Sequence, residues 1–252
     1  MNLIREAVDI LLPFRCDVCG GLADADNDLT ELDRIYRSIY GDSREFHICS
    51  RCLGSLIPQP PDRRWLLCLS DPVDGDPYAD MGLYVPFAYG GVMEQMIHRI
   101  KFNGRRGIAR LLGILMGSLI RSEGICADLA IPVPLSAARM GERGYNQAGE
   151  ISYAAGAVSG IPFAGDVLVR VRETNRQARI RSVAERALNV SGAFSLNGTW
   201  DVSGQVILLT DDVATSGHTL REAAGVLLDN GARQVLCMAV ASNRHANNAE
   251  PF

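Results

Sequence analysis

The chain has 252 residues, of which 47% are hydrophobic and 21% charged, and its net charge at pH 7 is −4. This length suits one full domain with a small additional module, and the composition is that of a folded globular protein. No apolar run approaches the ~20 residues that span a bilayer. Arg5, Glu6 and Asp9 interrupt the hydrophobic N-terminal segment, which argues against a secretory signal and predicts a cytoplasmic protein without a membrane span.

The first predicted element is a short amphipathic helix within residues 1–14. Charge is unevenly distributed, because residues 1–80 carry a net charge of −7 and residues 81–252 a net charge of +3. Two basic stretches, His98–Arg110 and Arg170–Arg186, suit a compact polyanion such as a phosphorylated metabolite. Charge runs are more often solvated faces, and a local nucleic-acid contact is left open.

Two C-x-x-C pairs, Cys16 with Cys19 and Cys49 with Cys52, lie near the N-terminus and are separated by 29 residues. Each pair can direct two thiolates at one ion, so the two pairs together predict a tetrahedral, structural zinc site. The alternatives are disulfides, a redox pair and unrelated buried thiols. A cytosolic chain disfavours disulfides, neither pair starts a helix after a strand, and two equal spacings seldom arise by chance. A helix, Leu29–Tyr40, is predicted between the pairs.

The remainder of the chain predicts an α/β domain. Residues 58–80 are rich in Pro and Asp and are predicted to be a linker, which separates a cysteine-rich module in residues 1–57 from a domain in residues 81–252. The predicted strands are Leu83–Tyr89, Leu129–Val133, Val167–Val171, Gly192–Leu196, Val206–Leu209 and Gln234–Val240, and the predicted helices are Gly91–Lys101, Gly107–Arg121, Gln147–Val158 and His218–Leu228. This alternation is typical of a mainly parallel sheet flanked by helices. Cys126 and Cys237 are predicted to be core residues.

The most specific motif is Val206–Thr219, with the sequence VILLTDDVATSGHT. A buried strand would bring the loop to the C-terminal edge of the sheet, where open α/β folds bind ligands. Asp211 and Asp212 can accept hydrogen bonds from sugar hydroxyls, and the residues after them stand at a helix N-terminus, which favours a phosphate. A capped turn is the alternative, but it does not explain two adjacent carboxylates that end an apolar strand. The pattern is neither a Walker A loop nor G-x-G-x-x-G.

This motif resembles the signature that binds 5-phosphoribosyl-1-pyrophosphate (PRPP) in type I phosphoribosyltransferases, with Thr210 and Ser216 as mild departures. Two further segments resemble blocks of ComF/GntX-like proteins. Ile131–Gln147 is similar to PVPL…R…RG(F/Y)NQ, and Arg170–Phe194 is similar to R…T…Q…R…N…GAF. The paired cysteines and the sequence HRIKFNG at 98–104 match the same family, so the resemblance covers nearly the whole chain. It implies the type I phosphoribosyltransferase fold.

The resemblance also implies roles for individual residues. The PRPP loop would comprise Asp211, Asp212, Val213, Ala214, Thr215, Ser216, Gly217, His218 and Thr219. A pyrophosphate loop at 133–137 would contribute Val133, Pro134, Leu135 and Ser136, and phosphate oxygens would be bound by Arg139, Arg143 and Lys101, the only lysine. A mobile flap at 172–186 would contribute Thr174, Gln177 and Arg186. The predicted catalytic residues are Asp211, Asp212 and Arg186. Asn146 and Gln147 are interpreted as caps of the helix that follows them.

The implied reaction displaces pyrophosphate from C1′ of PRPP, with Mg²⁺ bound beside the leaving group and an unidentified acceptor. The sequence also resembles the transferase half of amidophosphoribosyltransferases, but glutamine-dependent amination is not expected, because an N-terminal nucleophilic cysteine is lacking and Cys16 belongs to the zinc pair. Two alternatives stay open: a PRPP or nucleotide sensor without turnover, and a protein of natural transformation that handles single-stranded DNA with competence-machinery partners. A homodimer is also left open. Many family members carry a third cysteine pair, and the single Cys68 argues against a second zinc site.

Overall fold

The computed structural model describes residues 14–23, 30–41, 45–66, 81–172 and 192–242. Residues 1–13 of the predicted N-terminal helix, Cys68 and the three predicted flap residues Thr174, Gln177 and Arg186 lie outside these ranges. Within these ranges, no helix is long and apolar enough to cross a membrane.

A six-stranded sheet forms the centre of the fold. The strands of the chain are β1 (Trp65–Leu66), β2 (Leu83–Tyr84), β3 (Phe87–Ala88), β4 (Leu129–Pro132), β5 (Leu168–Arg170), β6 (Phe194–Leu196), β7 (Val206–Ala214) and β8 (Gln234–Ser242). The sheet has the order β1-β2-β8-β7-β4, with β3 also paired to β8, and every pairing except β1–β2 is parallel. This arrangement confirms the predicted α/β class with a mainly parallel sheet.

The central strands β7 and β8 are buried on both faces, as their nearly continuous apolar sequences predict. Alternate residues of these strands enter two different hydrophobic clusters, one on each face of the sheet. The predicted strand Leu83–Tyr89 is divided into β2 and β3. Pro86 lies in the gap and has no N–H for the ladder, while the N–H of Val85 donates to the carbonyl oxygen of Arg64 at 2.7 Å.

The helices lie around this sheet. Their bounds are α1 (Thr30–Tyr40), α2 (Ser50–Gly54), α3 (Gly91–Phe102), α4 (Arg106–Ser122), α5 (Ala137–Arg143), α6 (Gln147–Ser159) and α7 (His218–Asp229), and a single 3₁₀ turn occupies Pro61–Arg63. Helices α3, α4 and α6 contribute to the cluster on one face, and α7 contributes to the other. Strands β5 and β6 form a separate antiparallel pair beside α7 rather than joining the main sheet.

Helices α4 and α6 approach closely because α4 has two glycines on the contacting side. A Cβ atom at Gly113 would lie 2.5 Å from the carbonyl oxygen of Ile151, and one at Gly117 would lie 2.6 Å from that of Ala155. Both contacts are shorter than van der Waals distance, so a side chain at either position would force the helices apart. Helix α6 is therefore fixed against α4, and its N-terminus is held at the edge of the sheet.

Helix α5 was not predicted, because residues 133–137 are interpreted from sequence as a pyrophosphate loop and no element is assigned between this loop and Gln147. In the structure Ser136 occupies the N-cap position, and its Oγ accepts a hydrogen bond from the N–H of Arg139 at 3.4 Å. Gly144, with φ of 73°, ends the helix in the left-handed conformation. The predicted loop therefore ends at the N-cap Ser136, and helix α5 follows it directly.

The cysteine module packs directly onto the larger domain. Val18, Tyr36 and Phe46 belong to the same buried cluster as residues of α4. Strand β1, from the segment predicted as a linker, pairs with β2 at the edge of the sheet. The boundaries at residues 57 and 80 stay a prediction, since the two parts share a core. Of the two further cysteines among the described residues, Cys237 is buried as predicted, whereas Cys126 is exposed and the prediction for it is wrong.

Candidate active site

The two adjacent carboxylates lie inside β7 rather than after it. The strand continues to Ala214, five residues beyond the predicted end at Leu209, because its parallel pairing with β8 extends to Ser242. Asp211 and Asp212 therefore occupy the C-terminal half of a central strand, near the edge of the sheet where open α/β proteins bind ligands.

Asp212 is paired with Lys101, which comes from the last turn of α3. The distance from Lys101 Nζ to Asp212 Oδ1 is 3.1 Å, and the Asp212 side chain is only 9% exposed. Asp211 Oδ1 accepts a hydrogen bond from the backbone N–H of Asp212 at 2.8 Å. Burial, and next the negative charge of Asp212, raise the pKa of Asp211 to about 7, although Lys101 and Arg170 act in the opposite direction. The oxygens of these two carboxylates can therefore accept hydrogen bonds from a ligand or bind a cation.

The segment after β7 turns sharply into α7. Gly217 is the N-cap residue of this 12-residue helix and has φ of 77°, a left-handed conformation that glycine adopts most readily. Val213, Thr215 and Thr219 line a cavity next to the carboxylates, whereas Ala214, Gly217 and His218 are buried in the turn, and Ser216 is half-buried. Free N–H groups and hydroxyl groups at this helix start form a suitable environment for a phosphate.

The opposite wall of the cavity comes from the segment between β4 and α6. Val133, Pro134 and Leu135 line it, together with Arg139 and Arg143 from α5. The backbone N–H of Val133 donates to the carbonyl oxygen of Thr210 at 2.9 Å, which fixes this segment to β7. Ser136 is not a lining residue, because its side chain caps α5.

The cavity has a volume of about 210 Å³, and it brings together most of the predicted residues. Lys101, the two carboxylates and the two arginines all line it, with the phosphate-type turn on one side and the segment from Val133 on the other. The flap residues lie outside the described residues, so the arrangement of Thr174, Gln177 and Arg186 stays a prediction.

Four lining residues, Arg170, Asn146, Gln147 and Ala148, were not among the predicted site residues. Arg170 ends β5, and its guanidinium lies 5.1 Å from the ring centroid of Phe194. Arg170 is the first residue of the segment Arg170–Phe194 that resembles a ComF/GntX block, and this position could have identified it as a site residue. Asn146 occupies the N-cap position of α6 but makes no capping hydrogen bond with its side chain. Its Nδ2 instead donates to the carbonyl oxygen of Val133 at 3.0 Å, so the interpretation of this side chain as a helix cap is wrong.

The four cysteines of the N-terminal module converge on one point. The sulfur atoms of Cys16, Cys19, Cys49 and Cys52 all lie within 4.8 Å of one another, and Cys19 Sγ is 3.8 Å from Cys49 Sγ. Four thiolates at ~2.3 Å around one Zn²⁺ would be separated by about 3.8 Å, so the donor set and its spacing fit zinc. The backbone N–H of Gly21 donates to Cys19 Sγ at 3.4 Å. This bond is the main reason why the pKa of Cys19 is lowered to about 6, which favours the thiolate.

The cysteine module also touches the segment that carries Lys101. Arg99 Nη2 donates to the carbonyl oxygen of Val18 at 3.4 Å, and Arg105 Nη1 lies 3.3 Å from Asp17 Oδ1. Both contacted residues belong to the first cysteine turn, and the two arginines flank Lys101 in sequence. The position of the lysine therefore depends in part on the fold of the module.

Comparison with known proteins agrees with the resemblance. The family model of the phosphoribosyl transferase domain matches residues 92–250. The DNA utilization protein YhgH of Salmonella typhi is 31% identical over 197 residues, which cover 75% of this chain and 76% of that protein. Competence protein F of Haemophilus influenzae is 29% identical over 229 residues, 88% of this chain and 94% of that protein. Competence protein ComFC of Bacillus subtilis is 28% identical over 148 residues, 58% of this chain and 57% of its own length. This chain belongs to the ComF-like family of proteins that contain a phosphoribosyltransferase domain.

Proposed function

We propose that this chain binds PRPP at the C-terminal edge of its sheet and transfers the phosphoribosyl group to an acceptor, with release of pyrophosphate. The observation that carries the proposal is one cavity with three kinds of lining. Asp211 and Asp212 stand beside a helix N-terminus, and Lys101, Arg139 and Arg143 supply positive charge to the same space. A sugar with an anionic group at each end fits this cavity, because its hydroxyls can meet the carboxylates while its two anionic groups meet the helix N-terminus and the cationic side chains.

In this proposal, each part of the ligand has its own contacts. The 5-phosphate lies at the turn before α7, where the backbone N–H groups around Gly217 and the hydroxyls of Thr215 and Thr219 donate to it. Asp211 and Asp212 accept hydrogen bonds from the ribose hydroxyls. The pyrophosphate lies along Val133, Pro134 and Leu135 and is bound by the cationic side chains Arg139, Arg143 and Lys101.

The donor set of this cavity also fits Mg²⁺. Two carboxylates together with pyrophosphate oxygens are the ligands that this ion prefers, since it usually binds through one or two side chains and substrate phosphates. Bound there through Asp211 or Asp212, Mg²⁺ would neutralise part of the charge of the leaving pyrophosphate.

The protein contributes mainly position and charge to the displacement at C1′. As the bond from C1′ to the pyrophosphate breaks, negative charge grows on the departing oxygens and positive charge on the ribose ring. Arg139 and Arg143 stabilise the first, and the carboxylates of Asp211 and Asp212 stabilise the second. The predicted flap residues, Arg186 among them, would exclude water from the activated sugar.

The proposal is tested by measuring PRPP binding and pyrophosphate release with Mg²⁺, screened over nucleobases and amines. We expect PRPP at 100 times its Kd to stabilise the chain by about 2.7 kcal/mol in thermal unfolding. Asp211→Asn and Asp212→Asn should abolish most of this shift, whereas Asp201→Asn, an exposed carboxylate before β7, should leave it unchanged. Unchanged PRPP affinity in both site variants would mean that the site assignment is wrong. Tight binding without pyrophosphate release would support a PRPP sensor.

We further propose that Cys16, Cys19, Cys49 and Cys52 bind one structural zinc ion. Four thiolates close the coordination sphere, so the ion would have no open position for catalysis. Thiolates that remain free for metal require a reducing compartment, which supports a cytoplasmic location.

A second candidate function is contact with single-stranded DNA. The names of the Salmonella typhi and Haemophilus influenzae relatives refer to DNA utilization and competence, and that association motivates the candidate for this chain. Binding that weakens steeply as salt increases, measured with a labelled single strand, would support it. Undetectable binding at low salt would remove it.

A further inference from the structure

Gln147 occupies a position that the interpretation as a helix cap does not explain. It is the first residue of α6, is only 1% exposed and lines the cavity. Its Oε1 accepts a hydrogen bond from Arg143 Nη1 at 2.9 Å. Its Nε2, in contrast, has no hydrogen-bond partner among the residues that the structure describes. A buried amide donor without a partner is costly, so such a group is expected to meet one in the ligand-bound protein.

The contact with Arg143 fixes the orientation of this amide. A guanidinium can only donate hydrogen bonds, so the amide oxygen must face Arg143 and the NH₂ group must face away from it. A hydrogen bond from a charged donor also polarises the amide and strengthens its N–H groups as donors. Gln147 therefore carries an oriented, unpaired donor and belongs to the residues that line the cavity.

The surroundings of Gln147 indicate which part of a ligand it would meet. Asn146, the preceding residue, is bound to the carbonyl oxygen of Val133, which attaches the start of α6 to the wall proposed for pyrophosphate. Because the Asn146 side chain does not cap α6, the dipole of this 13-residue helix is also available to an anion. The carboxylates of Asp211 and Asp212 belong to β7 and would repel an anionic group. The acceptor is thus an anionic oxygen on the side of Val133 and Arg143.

We propose that Gln147 is a pyrophosphate-binding residue whose Nε2 donates a hydrogen bond to an oxygen of the pyrophosphate group of PRPP, while Arg143 holds the amide in place. The inference rests on the proposed function. Gln147 would then help the cavity to distinguish a ligand with a pyrophosphate group from one that carries only the 5-phosphate.

The experiment compares three ligands by calorimetry in the presence of Mg²⁺: inorganic pyrophosphate, PRPP and ribose 5-phosphate. Gln147→Met keeps the side-chain volume but removes both polar atoms, and Gln147→Glu keeps an oxygen for Arg143 but replaces the donor by an anionic oxygen. We expect the affinity for pyrophosphate and PRPP to fall about tenfold in Gln147→Met and about a hundredfold in Gln147→Glu. The affinity for ribose 5-phosphate should stay within about twofold of the wild type.

The matched control is Gln205→Glu, the same change in a half-buried glutamine at the other end of β7, where Nε2 donates to the carbonyl oxygen of Asp201. It should bind all three ligands as the wild type does. Urea unfolding of each variant checks that it is folded. If both Gln147 variants bind pyrophosphate and PRPP as tightly as the wild type does, this inference is wrong, but the proposed function is not affected. An equal loss for ribose 5-phosphate would also mean that the inference is wrong, since it would indicate a structural role. A wild-type chain that binds neither pyrophosphate nor PRPP would overturn the proposed function as well.

Discussion

Asp211 lies where a negative charge is costly, and its titration should affect stability. Burial and the charge of Asp212 raise its pKa from 3.8 to about 7. Between these two values the folded chain holds a proton that the unfolded chain has released, so the stability that this group contributes falls as the pH rises toward 7. We expect Asp211→Asn to be more stable than the wild type at pH 8, by about 1–2 kcal/mol after screening by water in the cavity, and equally stable near pH 4. Urea unfolding of the ligand-free chain at both pH values measures this difference.

The opposite outcome is as informative. An Asp211→Asn chain with no gain in stability at pH 8 would mean that Lys101 and Arg170 compensate fully for burial, and that Asp211 is ionised throughout the neutral range. The same variant should lose PRPP affinity above pH 7, where the wild-type carboxylate is ionised and accepts more strongly from the ribose hydroxyls than an amide does. Stability and binding thus change in opposite directions at this residue, as is common where a site stores unfavourable charge.

Single residues of the site differ in how far the sequence could predict them. Asp211 and Asp212 follow an apolar run, so their unusual position was visible directly. Arg170 begins a segment that resembles a family block, but it is one of several arginines in that segment, and sequence does not show which of them faces the cavity. Gln147 ends another segment that resembles a family block, but its burial and its unpaired amide nitrogen could not be predicted, since they depend on packing between α5, α6 and the segment from Val133.

At the scale of elements, periodicity predicted every long helix and strand of the larger domain to within a few residues, except the end of β7. The apolar pattern stops at Leu209, but the strand continues to Ala214 because four of the next five residues also pair with β8. Backbone pairing of this kind leaves no trace in the hydrophobic pattern of β7. Helix α5 was missed for a related reason, as it is short and most of it is exposed. Its one local signal, the N-cap Ser136, follows two prolines that favour an extended chain.

The close contact between α4 and α6 gives a prediction about elements. We expect Gly113→Ala to destabilise the chain by about 1–3 kcal/mol, since the new methyl group would meet the carbonyl oxygen of Ile151 and the side chain of Ala154. The matched control is Gly141→Ala in α5, where a Cβ would meet nothing within 4 Å. That change should stabilise the chain by about 0.5–1 kcal/mol, through helix propensity alone. Chemical denaturation of both variants provides the measurement, and equal effects in the two would contradict the packing argument.

At the scale of the whole molecule, the cysteine module and the cavity are connected through α3. The first cysteine turn binds Arg99 and Arg105, and Lys101 between them is bound to Asp212. The module also contributes to the hydrophobic cluster under α4, so its loss would expose a face of the larger domain. The two parts therefore behave as one unit, although the paired cysteines alone suggested an independent module. Sequence spacing predicts the ligands of a metal site, but not the surface on which the site packs.

This connection makes metal removal a test of the whole arrangement. We expect about one zinc ion per chain by elemental analysis, and its loss in Cys49→Ser, because three thiolates hold the ion much less tightly than four. Without the ion the module should unfold, release Lys101 from its position and lower the PRPP affinity at least about tenfold, the effect of one lost charge-assisted contact. Cys126→Ser, which changes an exposed thiol outside the cluster, should keep both zinc and PRPP affinity. A metal-free chain whose module has lost its circular dichroism signal but which binds PRPP with unchanged affinity would show that Lys101 is held by Asp212 alone.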